Sequence, residues 1–137
     1  MYSTSISSIP LRISDAEVLY LLQSKDINGE YIAYVKEYSK IKDELLSDWL
    51  NVNVKTFRSY KKQDSTLKEN LQEHVILLIS LYKHGIEVFG EVEDFNLWLD
   101  TENYFLDYSK PIHYLKTVTG IRFIDDRLTA LEYGDNV

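Results

Sequence analysis

Four cations stand close together in a chain that is acidic overall. The segment 46–62 reads LSDWLNVNVKTFRSYKK and ends with Lys55, Arg58, Lys61 and Lys62, whereas the 137-residue chain has a formal net charge of -7. Lysine and arginine are the residue types that contact phosphates and the edges of bases in DNA. The chemistry that this cluster predicts is nucleic-acid recognition.

The same segment has the layout of a helix-turn-helix, in which a second, recognition helix lies in the major groove of DNA. Val54 and Phe57 are expected to pack inward. The candidates for base contacts are Lys55, Thr56, Arg58 and Ser59, and the candidates for phosphate contacts are Lys61 and Lys62. A solvated basic helix end, stabilised by the helix dipole, explains the same cations, and the pattern does not separate the two readings.

Other residues that could do chemistry do not form a site. His74 and His84 lie ten residues apart on one predicted helix, too far apart to share a metal ion, and His113 lies in another segment. Asp125 and Asp126 are neighbours, so on a helix they point about a hundred degrees apart. With no cysteine, nucleophile elbow or glycine-rich phosphate loop, we expect no enzyme, metal or cofactor.

Composition limits the class of protein. A chain that is 45% hydrophobic and 13% aromatic can bury a core, and the absence of cysteine fits a reducing compartment. The longest apolar run, VILLI at 75–79, is far shorter than a membrane span, and MYSTSISSIPLR lacks the order of a signal peptide. We therefore expect a cytoplasmic protein with no membrane partner.

Charge is unevenly placed along the chain. Residues 1–62 carry nine Lys and Arg against eight Asp and Glu, whereas residues 63–137 carry six against fourteen. Because charge governs which partners approach, this asymmetry suggests two modules with different partners.

Periodicity and helix-end signals predict an all-α fold, since strand signals are scarce. Ser14 and Glu17 form a predicted capping box, Asn51 suits a left-handed turn, Asn53 suits a helix N-cap and Gly90 suits a helix end. Tyr31, Tyr34 and Tyr38 would share one helical face at the boundary of the core or at a partner interface. The predicted helices are 14–24, 30–40, 43–50, 54–62, 66–90, 92–99, 112–116 and 119–133.

The second half contains an ordered set of landmarks that resembles the toxin-binding domain of Xre/MbcA/ParS-type antitoxins. The segment in front, with Lys55-Thr56-Phe57, looks like the Xre-like helix-turn-helix of that family, so the resemblance covers roughly residues 28–137. The landmarks are Val88-Phe89-Gly90, Trp98-Leu99, Asn103, Pro111, Leu115, Thr117, Gly120, Leu128 and Glu132-Tyr133-Gly134.

The resemblance implies an antitoxin that pairs with a RES-domain toxin, an enzyme that consumes NAD or uses it for ADP-ribosylation. It also implies binding to operator DNA and a homodimer or a higher toxin–antitoxin assembly. The implied domains are a flexible N-terminus (1–13), a helix-turn-helix domain (14–63) and a small helical toxin-binding domain (64–137).

Carried over by position, the toxin contacts come from the last helix and the tail, which would cover the active-site cleft of the toxin. These residues are Arg127, Leu131, Glu132, Tyr133, Gly134, Asp135, Asn136 and Val137. The landmarks Trp98, Asn103, Pro111, Thr117 and Gly120 are assigned instead to packing and backbone geometry.

The chain departs from the family pattern in two places. Ser59 and Tyr60 stand where relatives often carry arginine, and the segment 107–110 replaces small residues near the expected toxin interface. The first departure weakens the case for operator binding, and the second could alter a loop at the toxin interface. A separate, second hypothesis is a helix-turn-helix transcriptional regulator whose acidic helical half only dimerises or senses a ligand.

Overall fold

The computed structural model describes residues 2–24, 26–62 and 64–134. This part of the chain is helical and contains no strand, which confirms the all-α prediction. Two 3-10 turns cover Tyr104–Leu106 and Pro111–Tyr114. The α-helices are α1 (Thr4–Ser7), α2 (Asp15–Ser24), α3 (Gly29–Ser39), α4 (Asp43–Trp49), α5 (Val54–Tyr60), α6 (Glu69–Phe89), α7 (Val92–Leu99) and α8 (Val118–Glu132).

Helix α6 is the centre of the fold. It is 21 residues long, and an unbroken run of its residues, 74–82, is buried. A helix that is apolar on nearly all sides needs neighbours on all sides. It packs against α2, α3, α7 and α8, so elements from both ends of the chain are positioned by one helix.

The ends of several helices confirm the capping signals. Ser14 Oγ accepts a hydrogen bond from the Glu17 backbone N–H, and Glu17 accepts one from the Ser14 backbone N–H, at 3.1 and 2.9 Å. Helix α6 ends at Gly90, whose φ of 86° lies in the region that favours glycine. Helix α6 begins at Glu69, three residues after the expected start at Thr66, which forms an isolated bridge with Asn28.

The N-terminal segment differs from the flexible one that was expected. Within residues 2–13, Ile6, Ile9 and Ile13 are buried. Lys83 of α6 donates hydrogen bonds from Nζ to the backbone oxygens of Ile6 and Ile9, at 2.9 and 2.8 Å. Ser80 Oγ also donates to a backbone oxygen of this segment. The segment is rich in serine, and that composition suggested a flexible chain. Its three isoleucines, spaced by three and four residues, are the residues that pack it into the core.

Buried residues on both sides of residue 63 belong to one hydrophobic cluster. Polar contacts also join the two predicted modules, among them Lys40 with Glu93 at 2.8 Å and Arg122 with Asp15 at 2.6 Å. The core is therefore shared between residues 14–62 and 64–134, and the division into two domains stays a prediction.

Two further expectations concern the second half and the membrane. The predicted helix 112–116 is a 3-10 turn at Pro111–Tyr114, which places Pro111 in the first turn as expected. None of the helices in the described ranges combines the length and the apolar composition that crossing a membrane requires.

Candidate functional site

Helices α4 and α5 form the helix pair that the central segment predicts. Between them, Asn51 has a φ of 60°, in the left-handed region, and Asn53 Oδ1 accepts a hydrogen bond from the Thr56 backbone N–H at 2.8 Å. Both asparagines have the roles that the sequence assigned to them. Asn51 also donates from its side chain to the Lys116 backbone oxygen at 2.9 Å, so the turn contacts the segment that leads into α8.

The side chains of α5 differ in exposure, and the helix-turn-helix function of this helix stays a prediction. Phe57 is fully buried and Val54 is half-buried, while Lys55, Arg58 and Ser59 are exposed. Lys62, just beyond the helix, is exposed, whereas Thr56 and Lys61 are half-buried. The exposed face of α5 is therefore able to approach a partner.

Two of the predicted DNA contacts are already paired with an acid of α4. Asp43 accepts hydrogen bonds from Arg58 Nε at 2.9 Å and from Lys61 Nζ at 3.2 Å, and Lys36 Nζ lies 3.2 Å from the same carboxylate. Partial burial would raise the pKa of Asp43, but the hydrogen bonds from these cations outweigh it and lower the pKa to about 2. Glu44 adds a second carboxylate beside Arg58, at 3.3 Å.

The remaining cations of this face are Lys55 and Lys62, which form no ion pair within residues 2–24, 26–62 and 64–134. The segment 46–62 is therefore less positive in the folded chain than its sequence suggests, because two of its four cations are paired with Asp43. The neutralising acid, Asp43, lies three residues before the segment begins.

The landmarks of the second half hold structural positions. Trp98 contacts Phe89 in a tilted arrangement and stacks on Phe95, at ring-centroid distances of 5.8 and 6.1 Å. Thr117 caps α8 by accepting the Gly120 backbone N–H at 2.9 Å. A Cβ atom on Gly120 would lie 1.8 Å from the Tyr114 backbone oxygen, so only glycine fits there.

The predicted toxin contacts lie on the last turns of α8 and just beyond it. Glu132, Tyr133 and Gly134 are exposed, whereas Arg127 and Leu131 are half-buried. Gly134 has a φ of 85°, which turns the backbone away from the helix axis. Asp135, Asn136 and Val137 lie outside the described residues.

A buried histidine ties the end of α8 to α6. The His84 side chain is fully buried, with Nδ1 2.7 Å from Asp125 Oδ1 and Nε2 3.1 Å from Glu132 Oε1. Burial lowers the pKa of His84, but the hydrogen bonds to Asp125 and Glu132 outweigh burial and raise it. Asp125 and Glu132 are seven residues apart, so they lie on one face of α8. That spacing was the signal that sequence reasoning missed.

A second group that was missed is a set of exposed aromatic residues in the loop after α7. Tyr104 contacts Phe105 and Tyr108 edge-on, at centroid distances of 5.2 and 5.7 Å. The Arg127 guanidinium lies 5.1 Å from the centroid of Phe105, so the loop meets α8 at a predicted toxin contact. The sequence did contain a signal for this group. The segment YFLDY at 104–108 has three aromatic residues and no helical periodicity that would bury them.

The described residues contain no group of three histidine or acidic side chains arranged to hold a metal ion. His74 is buried and bonded to the Leu115 backbone oxygen at 2.9 Å, and His113 is exposed. His84 faces two carboxylates, an arrangement suited to an ion pair between helices.

Comparison with known proteins places a family domain over the second half. Residues 84–134 match the model of the antitoxin Xre/MbcA/ParS C-terminal toxin-binding domain. The matched segment begins at His84 and contains α7, the aromatic loop and α8. The comparison with curated proteins found no match. The match supports an antitoxin role for this chain, with a toxin as its partner.

Proposed function

We propose that the protein is an antitoxin that binds a RES-domain toxin, an NAD-consuming or ADP-ribosylating enzyme, and neutralises it by covering its active site. The observation that carries the proposal is the match of residues 84–134 to a toxin-binding domain. The exposed end of α8 supports it. Glu132, Tyr133 and Gly134 leave the helix at the surface, where a short segment can enter a cleft at a small cost in ordering entropy.

Acidic groups give this end of the chain a chemical reason to occupy a nucleotide site. Residues 84–134 carry ten Asp and Glu against four Lys and Arg. A toxin that uses NAD needs cations for the phosphates of that substrate, and carboxylates can bind the same cations. Glu132 and Asp135 are the acids closest to the end of α8, and we assign this role to them.

The direct test is rescue of cell growth when this chain is co-expressed with the RES-domain toxin that the proposal expects a neighbouring gene to encode. A deletion of the last ten residues would remove buried Leu128 and the Glu132–His84 contact, and so would damage the fold. Deletion of residues 133–137 is sharper, because it leaves every residue of α8 in place. We expect this shorter chain to keep its melting temperature and to lose rescue.

Point variants separate the acidic contact from the stability of α8. Glu132→Ala removes both the proposed toxin contact and a bond to His84, whereas Asp125→Asn weakens only the bond to His84. We expect Glu132→Ala and Asp135→Ala to weaken toxin binding, and Asp125→Asn to preserve it. If Glu132→Ala and Asp135→Ala each leave the affinity unchanged, the acidic residues do not make the proposed contact.

Operator binding by α5 is the second part of the proposal. The α4–α5 geometry and the exposed Lys55 and Lys62 support it, while the pairing of Arg58 and Lys61 with Asp43 reduces the positive charge available for phosphates. We therefore propose weak, salt-sensitive binding by a dimer. Tight binding by a monomer at high salt would contradict it.

The alternative function is a transcriptional regulator whose acidic half only dimerises or senses a ligand. The helix pair alone would favour it, but the matched toxin-binding segment favours the antitoxin. A RES-domain gene next to the gene of this protein is the observation that separates the two functions.

A further inference from the structure

The loop after α7 exposes three aromatic side chains within five residues. The exposed fractions of Tyr104, Phe105 and Tyr108 are 68%, 47% and 62%. Phe123, one helical turn before Arg127 on α8, is 42% exposed and contacts Tyr114 in a tilted arrangement, with 5.3 Å between the ring centroids. We call Tyr104, Phe105, Tyr108, Phe123 and Arg127 the aromatic patch. Large apolar rings that remain at the surface of a folded chain indicate a place where a partner covers them.

The backbone holds this loop in one conformation. Asn103 Oδ1 accepts a hydrogen bond from the Phe105 backbone N–H at 2.9 Å, and the Asn103 backbone oxygen accepts one from Tyr108 at 2.9 Å. Asp107 and Tyr108 both have positive φ values, 52° and 64°. Two successive non-glycine residues in the left-handed region are unfavourable, and such strain concentrates where a side chain has to be presented to a partner.

Arg127 is the charged member of the aromatic patch. Its guanidinium lies over the Phe105 ring, and its Nε is buried without a hydrogen bond. Among the described residues, no carboxylate forms an ion pair with it, although Asp126 is its neighbour in sequence. A partly desolvated guanidinium gains most from an acceptor that a partner brings, such as a carboxylate.

Aromatic residues and arginine are the residue types that dominate the binding energy at the centre of protein interfaces. We propose that the aromatic patch is a docking surface for the toxin, which adds the loop after α7 and Phe123 to the contacts proposed at Arg127, at the end of α8 and in the tail. This inference rests on the proposed function, because it names a second contact with the same partner. The complementary toxin surface is apolar, offers a carboxylate or carbonyl acceptor to Arg127, and has basic residues around it.

Charge on the chain favours the toxin over a second copy of this protein. The exposed acids Glu102, Asp107 and Asp126 adjoin the patch in sequence. Two copies that met through this patch would place like charges against each other, which opposes association. All five patch residues also fall within the segment that matches a toxin-binding domain.

The test is the affinity of the full chain for the RES-domain toxin that the proposed function expects a neighbouring gene to encode, measured by calorimetry. Tyr108→Asn removes a ring at a position where asparagine tolerates the backbone better than tyrosine, so we expect an unchanged or higher melting temperature. Tyr104→Ser removes a second exposed ring. We expect each variant to weaken binding by roughly tenfold or more. Tyr20→Asn is the matched control, because Tyr20 is 60% exposed on α2, outside the patch, and should keep full affinity.

The outcomes distinguish the two proposals. If the unchanged chain binds and both patch variants bind within twofold of it, the docking surface is wrong and the proposed function stands. If the unchanged chain does not bind, the proposed function fails and the docking surface fails with it. Self-association that disappears in Tyr108→Asn would show that a second copy occupies the patch, and would also overturn the inference.

Discussion

Asp43 of α4 lies 2.9 Å from Nε of Arg58 on α5, so the first helix of the pair neutralises a cation of the second. Lys61 shares the same carboxylate at 3.2 Å. Two of the four cations that make the central segment look basic are therefore already engaged within the chain.

Replacing Asp43 by asparagine is predicted to strengthen DNA binding. Asp43→Asn removes the carboxylate that Arg58 and Lys61 share and leaves Arg58 with Glu44, at 3.3 Å. More positive charge is then available to phosphates, and each added phosphate contact steepens the dependence of affinity on salt. We expect the slope of log K against log salt concentration to steepen by roughly 1, and affinity for duplex DNA at low salt to rise severalfold, on the order of three- to tenfold. Fluorescence anisotropy over a range of salt concentrations measures both quantities.

Asp48→Asn is the control for that experiment. It makes the same change in net charge, but the carboxylate that it removes pairs with Lys116, which lies outside α5. Equal salt slopes for Asp43→Asn and Asp48→Asn would mean that net charge alone controls DNA binding. Arg58 and Lys61 would then not contact the phosphates.

Two buried histidines are predicted to give opposite dependences of stability on pH. In the folded chain the pKa of His84 is raised above 6.5. Its contribution to the free energy of unfolding is therefore fully present below pH 6.5 and is lost as pH rises through the pKa of the folded state. Burial lowers the pKa of His74, so its contribution is present above pH 6.5 and is lost as pH falls through the folded pKa.

Thermal unfolding between pH 5 and 9 separates the two histidines. His84→Gln should lower the melting temperature at pH 6 and remove most of the decline on the alkaline side. His74→Gln should flatten the acid side instead, because glutamine cannot take up a proton. A decline on the alkaline side that is the same in His84→Gln and the unchanged chain would show that His84 is not its source.

Two glycines of the α6–α7 corner are predicted to resist alanine for different reasons. A Cβ atom at Gly85 would lie 2.4 Å from the Phe95 ring, whereas nothing lies within 4 Å of one at Gly90, where φ is 86°. In Gly85→Ala, overpacking of about 1–3 kcal/mol opposes a helix-propensity gain of about 1 kcal/mol. In Gly90→Ala, the left-handed backbone costs about 1–2 kcal/mol.

A double-mutant cycle with Phe95→Leu tests this difference by chemical denaturation. The smaller side chain should relieve the clash, so Gly85→Ala should cost less in the Phe95→Leu background. The cost of Gly90→Ala should be the same in both backgrounds. If Phe95→Leu reduces the cost of neither substitution, a clash with the Phe95 ring is not the reason why alanine destabilises position 85.

Local signals in the sequence predicted seven of the eight α-helices and several of their ends, but not α1 or the 3-10 turn at Pro111–Tyr114. Ser14 with Glu17, Asn53 and Gly90 each act through atoms within four residues, so their roles could be inferred without a fold. The helix pair α4–α5 was predictable for the same reason.

Contacts between distant residues could not be inferred in this way. Lys83 holds the N-terminal segment from more than seventy residues away, and His84 reaches α8 across more than forty. Asp43 is close in sequence to Arg58, but it lies outside the basic segment 46–62. The toxin contacts and the DNA contacts stay predictions, although the structure shows which of their side chains are exposed and which are already paired.

The shared core couples residues that different partners would contact. Because buried residues on both sides of residue 63 form one cluster, we expect the helix pair and the matched segment to unfold together. A partner that binds only the folded chain raises the free energy of unfolding according to its concentration and affinity, wherever it binds. A toxin seated on residues 84–134 would therefore shield the backbone of residues 43–60 from proteases. The cellular lifetime of α4 and α5 would then follow the supply of toxin.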